Sequence, residues 1–242
     1  MKIQLFRLAG LALCLWLVSC STVTYRPAAS AATVMPFPQL RLAVLSDVHV
    51  YDPTLGTTGA DWDKYMHNDR KLLAQGLESF DQALGKISAE RPDFLLISGD
   101  LTKDGELVNH QLVASRLAAL RAQGIRAFVI PGNHDVLNPS ASSYGPDGAK
   151  PIPSVSPADF ARIYGADGYD EALMRDPHSL SYLVEAAPGL LLLGIDSCRY
   201  EENAKAGIPL VSGRIDQGRE KRSLAVGPHS DSHNNRKKDQ EH

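Results

Sequence analysis

Ile130-Pro131-Gly132-Asn133-His134-Asp135 is the stretch that decides how this chain folds. Phe128-Val129-Ile130 is continuously apolar, as a strand buried on both faces is. Pro131 and Gly132 end that run, and the glycine lets the backbone turn at a φ that a side chain would resist. An amide, an imidazole and a carboxylate follow at once, three groups able to bind a metal or move a proton. Two earlier apolar runs end in matching chemistry. Residues 40–45 lead into Ser46-Asp47-Val48-His49, and residues 94–97 lead into Ser98-Gly99-Asp100.

Helices are expected between these runs. After the cap residues Asn68-Asp69, Leu73, Leu77, Phe80, Leu84 and Ile87 recur at spacings of four and three until Pro92, one apolar stripe that lies on a sheet. Asp104 or a neighbour is expected to cap a second helix, with Val113, Leu117 and Leu120 on one face and Gly124 as its stop. Three strand-loop-helix units of this kind predict an α/β fold with helices packed on a sheet. Ligands of such sheets gather outside the carboxyl ends of the strands, where all three chemical clusters fall. Beyond them, residues 136–157 form a long Pro-, Gly- and Ser-rich connection. Short helices are expected over 157–164 and 169–174. Strands over 179–184 and 190–195, turning at Pro188-Gly189, begin a second sheet.

An Asp-x-His pair at a strand end sets a hard oxygen beside an imidazole, a second Asp on the next strand can bridge two cations, and an Asn carbonyl adds a neutral ligand. Mixed N/O sets suit zinc, iron or manganese, and oxygen-rich ones magnesium or manganese. Two such metals clamp a phosphate and make hydroxide at neutral pH. Asp47-x-His49, Gly99-Asp100 and Gly132-Asn133-His134-Asp135 resemble, in order, the first three signature blocks of the calcineurin-like metallophosphoesterases. Ser179-Leu180-Ser181-Tyr182, Gly194-Ile195-Asp196-Ser197 and Gly213-Arg214-Ile215 resemble a bacterial exported branch of that family.

The resemblance covers residues 40–215. It implies an αββα sandwich and hydrolysis of phosphomonoesters or phosphodiesters by hydroxide made at two divalent metals (Mn, Fe, Zn or Mg). Asp47 and His49 would hold the first metal, Asp100 would bridge both, and Asn133 would bind the second. His134 would protonate the leaving group as general acid, with Asp135 orienting its imidazole. The family pattern continues with a His on a later strand, often in a His-His pair, and with a Gly-His-x-His. Neither occurs in this sequence. The second sheet and the second metal site are therefore expected to be incomplete, with only Asp100 and Asn133 left for that metal. A truncated or frameshifted reading frame accounts for the break. The alternative to an enzyme is a non-catalytic envelope lipoprotein, a binding or scaffold protein keeping the first half of the fold.

The chain has 242 residues, a formal net charge of -3 and an ordinary apolar content, which gives no reason to expect nucleic acid or an anionic surface as partner. A phosphate-ester small molecule is the expected substrate, and no protein partner is predicted. Lys2 and Arg7 precede an apolar stretch too short to span a bilayer. Leu17-Val18-Ser19-Cys20 resembles a bacterial lipobox, so residues 1–20 are expected to be a lipoprotein signal peptide with lipidation at Cys20. A plain secretory signal or an uncleaved anchor is the competing reading. Residues 21–39 then form a flexible tether, and the protein is an exported, membrane-anchored component of the cell envelope, on the periplasmic side of the outer membrane. Residues 216–242 are almost wholly polar and are expected to be a disordered tail. Cys198 is expected to be a buried structural thiol, His67 and His110 to lie on solvated helix faces, and Asp61 and Asp63 in a solvated loop. Tyr51 and Asp52 lie close enough to the first motif to touch substrate.

Overall fold

The computed structural model describes residues 39–68 and 71–215. The expected signal peptide with Cys20, nearly all of the expected tether, the expected Asp69 cap and the expected polar tail lie outside the described residues. Within them, β1 (Leu42–Leu45), β2 (Phe94–Ser98) and β3 (Arg126–Ile130) form a parallel sheet in the order β1-β2-β3. Leu42 stands opposite Phe94, and Phe94 opposite Arg126. Helices α1 (Ala60–Asn68) and α2 (Leu73–Glu90) lie between β1 and β2 in the chain, and α3 (Leu107–Arg121) between β2 and β3. The apolar stripe of α2 buries Leu73, Phe80, Leu84 and Ile87. Phe80, Leu84 and Ile87 share one core with Val113, Leu117 and Leu120 of α3 and with Phe94, Leu95, Ile97, Phe128 and Val129 of the sheet. Each such side chain contributes roughly 1.5–3 kcal/mol by leaving water, which makes this layer the rigid base for the loops at its edge.

The long connection is not structureless. It holds a hairpin, β4 (Ser142–Gly145) paired antiparallel with β5 (Gly148–Pro151). Helix α4 (Pro157–Ile163) starts at a capping box in which Ser156 Oγ accepts from the Asp159 N–H, and the Asp159 carboxylate accepts from the Ser156 N–H. The second antiparallel sheet runs β6 (Met174–Arg175), β7 (Tyr182–Ala187) and β8 (Leu190–Gly194), and α5 (Tyr200–Ala206) follows. It leans on β3 through the Tyr182 hydroxyl, which donates to Val129 O at 3.0 Å, and Arg126, which donates to Ala186 O at 2.7 Å.

Two expectations need correction. Residues 169–174 are not a helix. Tyr169 is buried with its hydroxyl donating to Leu180 O, and Leu173 N–H pairs with Leu183 O, so sheet pairing overrides local helix preference. Residues 40–45 read as a buried strand by their apolar run, yet β1 is buried on one face only. Among the described residues it is an edge strand that pairs with β2 alone, and Leu42 and Val44 are 53% and 57% exposed while Ala43 and Leu45 pack on the core.

Candidate metal centre

The three loops meet because parallel strands deliver their carboxyl ends to one edge. Asp47 N–H donates to Gly99 O at 3.2 Å, and His49 N–H to Asp100 O at 2.9 Å, which knits the first loop to the second. Gly132 joins them for a different reason from the one expected. Its φ is not left-handed; instead a Cβ there would lie 2.1 Å from Asp100 Oδ1. The positive φ belongs to Gly99, at 87°, where a Cβ would also strike Gly132. Glycine is thus needed at 132 for close approach and at 99 for conformation as well.

Asp47, His49 and Asp100 each bring one donor atom to within 4.8 Å of the others. All three have left-handed backbones, with φ of 54°, 40° and 49°. Such conformations cost a non-glycine residue on the order of 1 kcal/mol or more and collect at functional sites. His49 Nδ1 lies 3.2 Å from Thr102 O, so Nδ1–H donates there and the Nε2 lone pair faces Asp100, 3.7 Å from its Oδ2. Burial, with the Lys71 ammonium adding to it, pushes the His49 pKa down, which favours the neutral, ligating form. The amide nitrogen of Asn133 is buried with no hydrogen-bond partner. An amide's O and N are exchangeable by a flip, so this orphaned position suits a carbonyl oxygen turned toward a cation. The two carboxylates and the imidazole of Asp47, Asp100 and His49 form a donor set fit for a divalent metal.

His134 stands beside this group, its ring 5.3 Å from that of His49 and edge-on to it. Its backbone N–H donates to Asp100 Oδ1 at 3.0 Å. The family resemblance implied Asp135 as the group that orients the imidazole, but the structure gives the ring a different partner. Asp135 is fully buried and its carboxylate accepts from the N–H groups of Leu101, Thr102 and Gly132 and from the Thr102 hydroxyl, bracing one loop against another. Burial, reinforced by the Asp100 charge, raises its pKa to about 6. The His134 ring instead meets Asp104, Nδ1 to Oδ1 at 2.8 Å. Asp104 does not cap α3, whose N-cap is Glu106.

Lys71 Nζ also lies 3.1 Å from that Nδ1. One ring nitrogen cannot donate to the carboxylate and accept from the ammonium together. The shorter contact assigns Nδ1–H to Asp104 and leaves Lys71 donating to Lys103 O at 3.2 Å. Burial works against the Asp104 anion, but the His134 bond and the Lys103 and Lys71 ammoniums outweigh it and hold the pKa at about 2. Asp104 and Lys71 are the members of this site that sequence reasoning missed. The available signal was Asp104 lying one turn beyond Asp100 in an otherwise polar loop. A cleft of about 710 Å³, lined by Asp47, His49, Lys71 and His134 and walled by α2, opens onto the group.

The other singled-out residues fall elsewhere. Tyr51 is buried, and Asp52 caps a short 3-10 turn by accepting from the Thr54 N–H. Asp61 and Asp63 belong to the first turn of α1 rather than to a loop. Cys198 is half-buried, its thiol donating to Pro131 O and pushed up in pKa by burial. His67 is exposed.

His110 is not solvated. It is fully buried between the Tyr164 hydroxyl at 2.9 Å and Asp135 O at 2.8 Å, edge-on to Phe160 and near the Glu106 carboxylate. Burial lowers its pKa to about 4, against about 6.5 in an unfolded chain. The unfolded chain therefore takes up a proton that the native state refuses. The contribution of His110 to stability is complete above pH 6.5 and falls as pH drops toward 4, by about 2–3 kcal/mol. Urea unfolding of the wild type and His110→Phe at pH 7 and 4.5 checks this: the gap between them should shrink by that amount, and parallel pH profiles would refute it.

A sequence model of the calcineurin-like phosphoesterases matches residues 40–203. A probable cyclic nucleotide phosphodiesterase of Pseudoalteromonas sp. (strain SM9913) is 29% identical over 100 residues, which span 41% of this chain and 33% of the length of that protein.

Proposed function

Because the chain belongs to the calcineurin-like phosphoesterase family, we propose that it hydrolyses phosphoesters at the centre formed by Asp47, His49, Asp100 and Asn133, with His134 as proton donor. The observation that carries this reading is the convergence of Asp47, His49 and Asp100 beside an imidazole held by a buried carboxylate. A divalent metal held there would supply the Lewis-acid charge that hydrolysis of a phosphoryl group calls for. Asp47, His49 and Asp100 would hold it, with the buried Asn133 amide as a further donor from the loop after β3. Asp104 orients the His134 ring through Nδ1–H; with both ring nitrogens protonated, Nε2–H gives its proton to the leaving oxygen as the P–O bond breaks, and the ring is left as the Nδ1–H tautomer. The likeness to a probable cyclic nucleotide phosphodiesterase supports phosphodiesters as substrates. The Leu17-Val18-Ser19-Cys20 pattern supports export and acylation at Cys20, with the cell envelope as the place of action.

One preparation tests both parts. The full chain, purified from the membrane fraction, is stripped with chelator and reloaded with manganese, iron, zinc or magnesium. Hydrolysis of bis(p-nitrophenyl) phosphate and a rise in melting temperature should return with metal, and the intact mass should carry a lipid on Cys20. Failure of every metal to restore either turnover or the melting shift refutes the centre; an unacylated Cys20 refutes the anchor.

A further inference from the structure

The cleft at the metal centre has two unlike walls. Asp47, His49, Lys71 and His134 give one of them charge and hydrogen-bonding groups. The other is α2, which presents Gly76, Phe80 and Ala83, with Leu72 at its start. The phosphoryl chemistry uses the first wall and gives the second no role. Yet the cleft holds about 710 Å³, within the range that takes a whole drug-sized ligand rather than its anionic head alone. Leu72 is 72% exposed and belongs to neither apolar core, so an apolar ligand surface would find it uncovered.

Gly76 belongs to this wall, and the fold does not require a glycine there. Its φ is not left-handed. A Cβ built on it would meet nothing nearer than His49 O at 3.4 Å and Val48 O at 3.7 Å, an ordinary contact. Alanine therefore fits the backbone and would favour the helix, in which glycine is disfavoured. What glycine keeps instead is open volume beside His49, a member of the donor group. Gly85 is the contrast on the same helix: it is exposed, has nothing within 4 Å of its Cβ position, and does not line the cleft.

We propose that Gly76 is a specificity-determining residue, and that the α2 wall beside it seats an apolar or aromatic ester arm of a phosphodiester. This rests on the reading of Asp47, His49 and Asp100 as the phosphoryl site, which fixes where the anionic head of the ligand lies. An arm running from that head along the cleft meets Leu72, Phe80 and Ala83, and a side chain at position 76 would take the volume it needs.

The test compares two diesters of equal charge. Diphenyl phosphate and dimethyl phosphate are titrated into the metal-loaded full chain by equilibrium dialysis. The parent should hold diphenyl phosphate about tenfold to a hundredfold more tightly, the gain from one ring leaving water. Gly76→Leu should bring the two diesters within about threefold of each other. Gly76→Ala, which fits the fold, should weaken diphenyl phosphate about two- to fivefold, the worth of one displaced CH₂. Neither variant should change the affinity for dimethyl phosphate, and Gly85→Ala should change neither affinity. Circular dichroism and melting temperature identify variants that fold, and Gly76→Ala should melt above the parent. Equal affinity for the two diesters in the parent, or folded Gly76 variants that keep the parent's preference, overturns the role of this wall. A preference for diphenyl phosphate without metal-dependent hydrolysis of bis(p-nitrophenyl) phosphate overturns the catalytic reading and leaves the wall standing. Hydrolysis with no preference does the opposite.

Discussion

Asp100→Ala should cost metal-dependent hydrolysis at least about a thousandfold, or roughly 4 kcal/mol of transition-state stabilisation. Its carboxylate has two roles that one substitution removes together. It is a donor of the Asp47–His49–Asp100 group, and it accepts the His134 backbone N–H at 3.0 Å. Asp100→Asn separates them, since an amide oxygen still accepts that N–H but brings no charge. Asn should fold as the parent does, yet lose both turnover and the metal-induced rise in melting temperature. If Asp100→Asn keeps that thermal shift, Asp100 is not a metal ligand.

Second in size is the loss at the proton donor. His134→Gln should lower turnover about a hundredfold to ten-thousandfold on an alkyl ester, and far less on a p-nitrophenyl ester, whose phenolate leaves without a proton. Asp104→Asn should shift rates in the same pattern by about 10- to 100-fold, as loss of an orienting partner does. That dependence on the leaving group separates positioning from a purely structural role. Asp104 also neutralises the buried Lys103, with Glu106 Oε1 at 3.4 Å as the remaining acid. Some stability will therefore be lost, and turnover must be compared between samples matched for folded fraction. Equal losses on alkyl and nitrophenyl esters would remove His134 from the acid role.

The parts of this site that could be read from sequence were those set by local chemistry. β2 and β3 are continuous apolar runs stopped by Gly and Pro, so their ends, and the loops at them, were visible as text. Parallel pairing then puts such ends on one edge without further information. What could not be read depends on which faces meet. Asp104 looked like a helix cap because caps are local, but the loop from Asp100 to Glu106 folds back under His134 and turns its carboxylate to the ring. His110 lies three residues before Val113, on the stripe that Val113, Leu117 and Leu120 continue, so the spacing marked the buried face and the polar residue type hid it. Leu42 and Val44 have the composition of a buried strand, and only the sheet order reveals that β1 is an edge.

The left-handed backbones at Asp47, His49 and Asp100 also set limits on engineering. Glycine at any of the three would relieve backbone strain but remove a donor, and at His49 and Asp100 also a hydrogen bond to Thr102 O or from the His134 N–H. Arg91 and Leu137 share the same dihedral region, at φ 47° each, without belonging to the donor group. A stabilised variant should be sought at Arg91, where conformational relief and catalytic competence do not compete, whereas Leu137 packs on the core and would lose that burial.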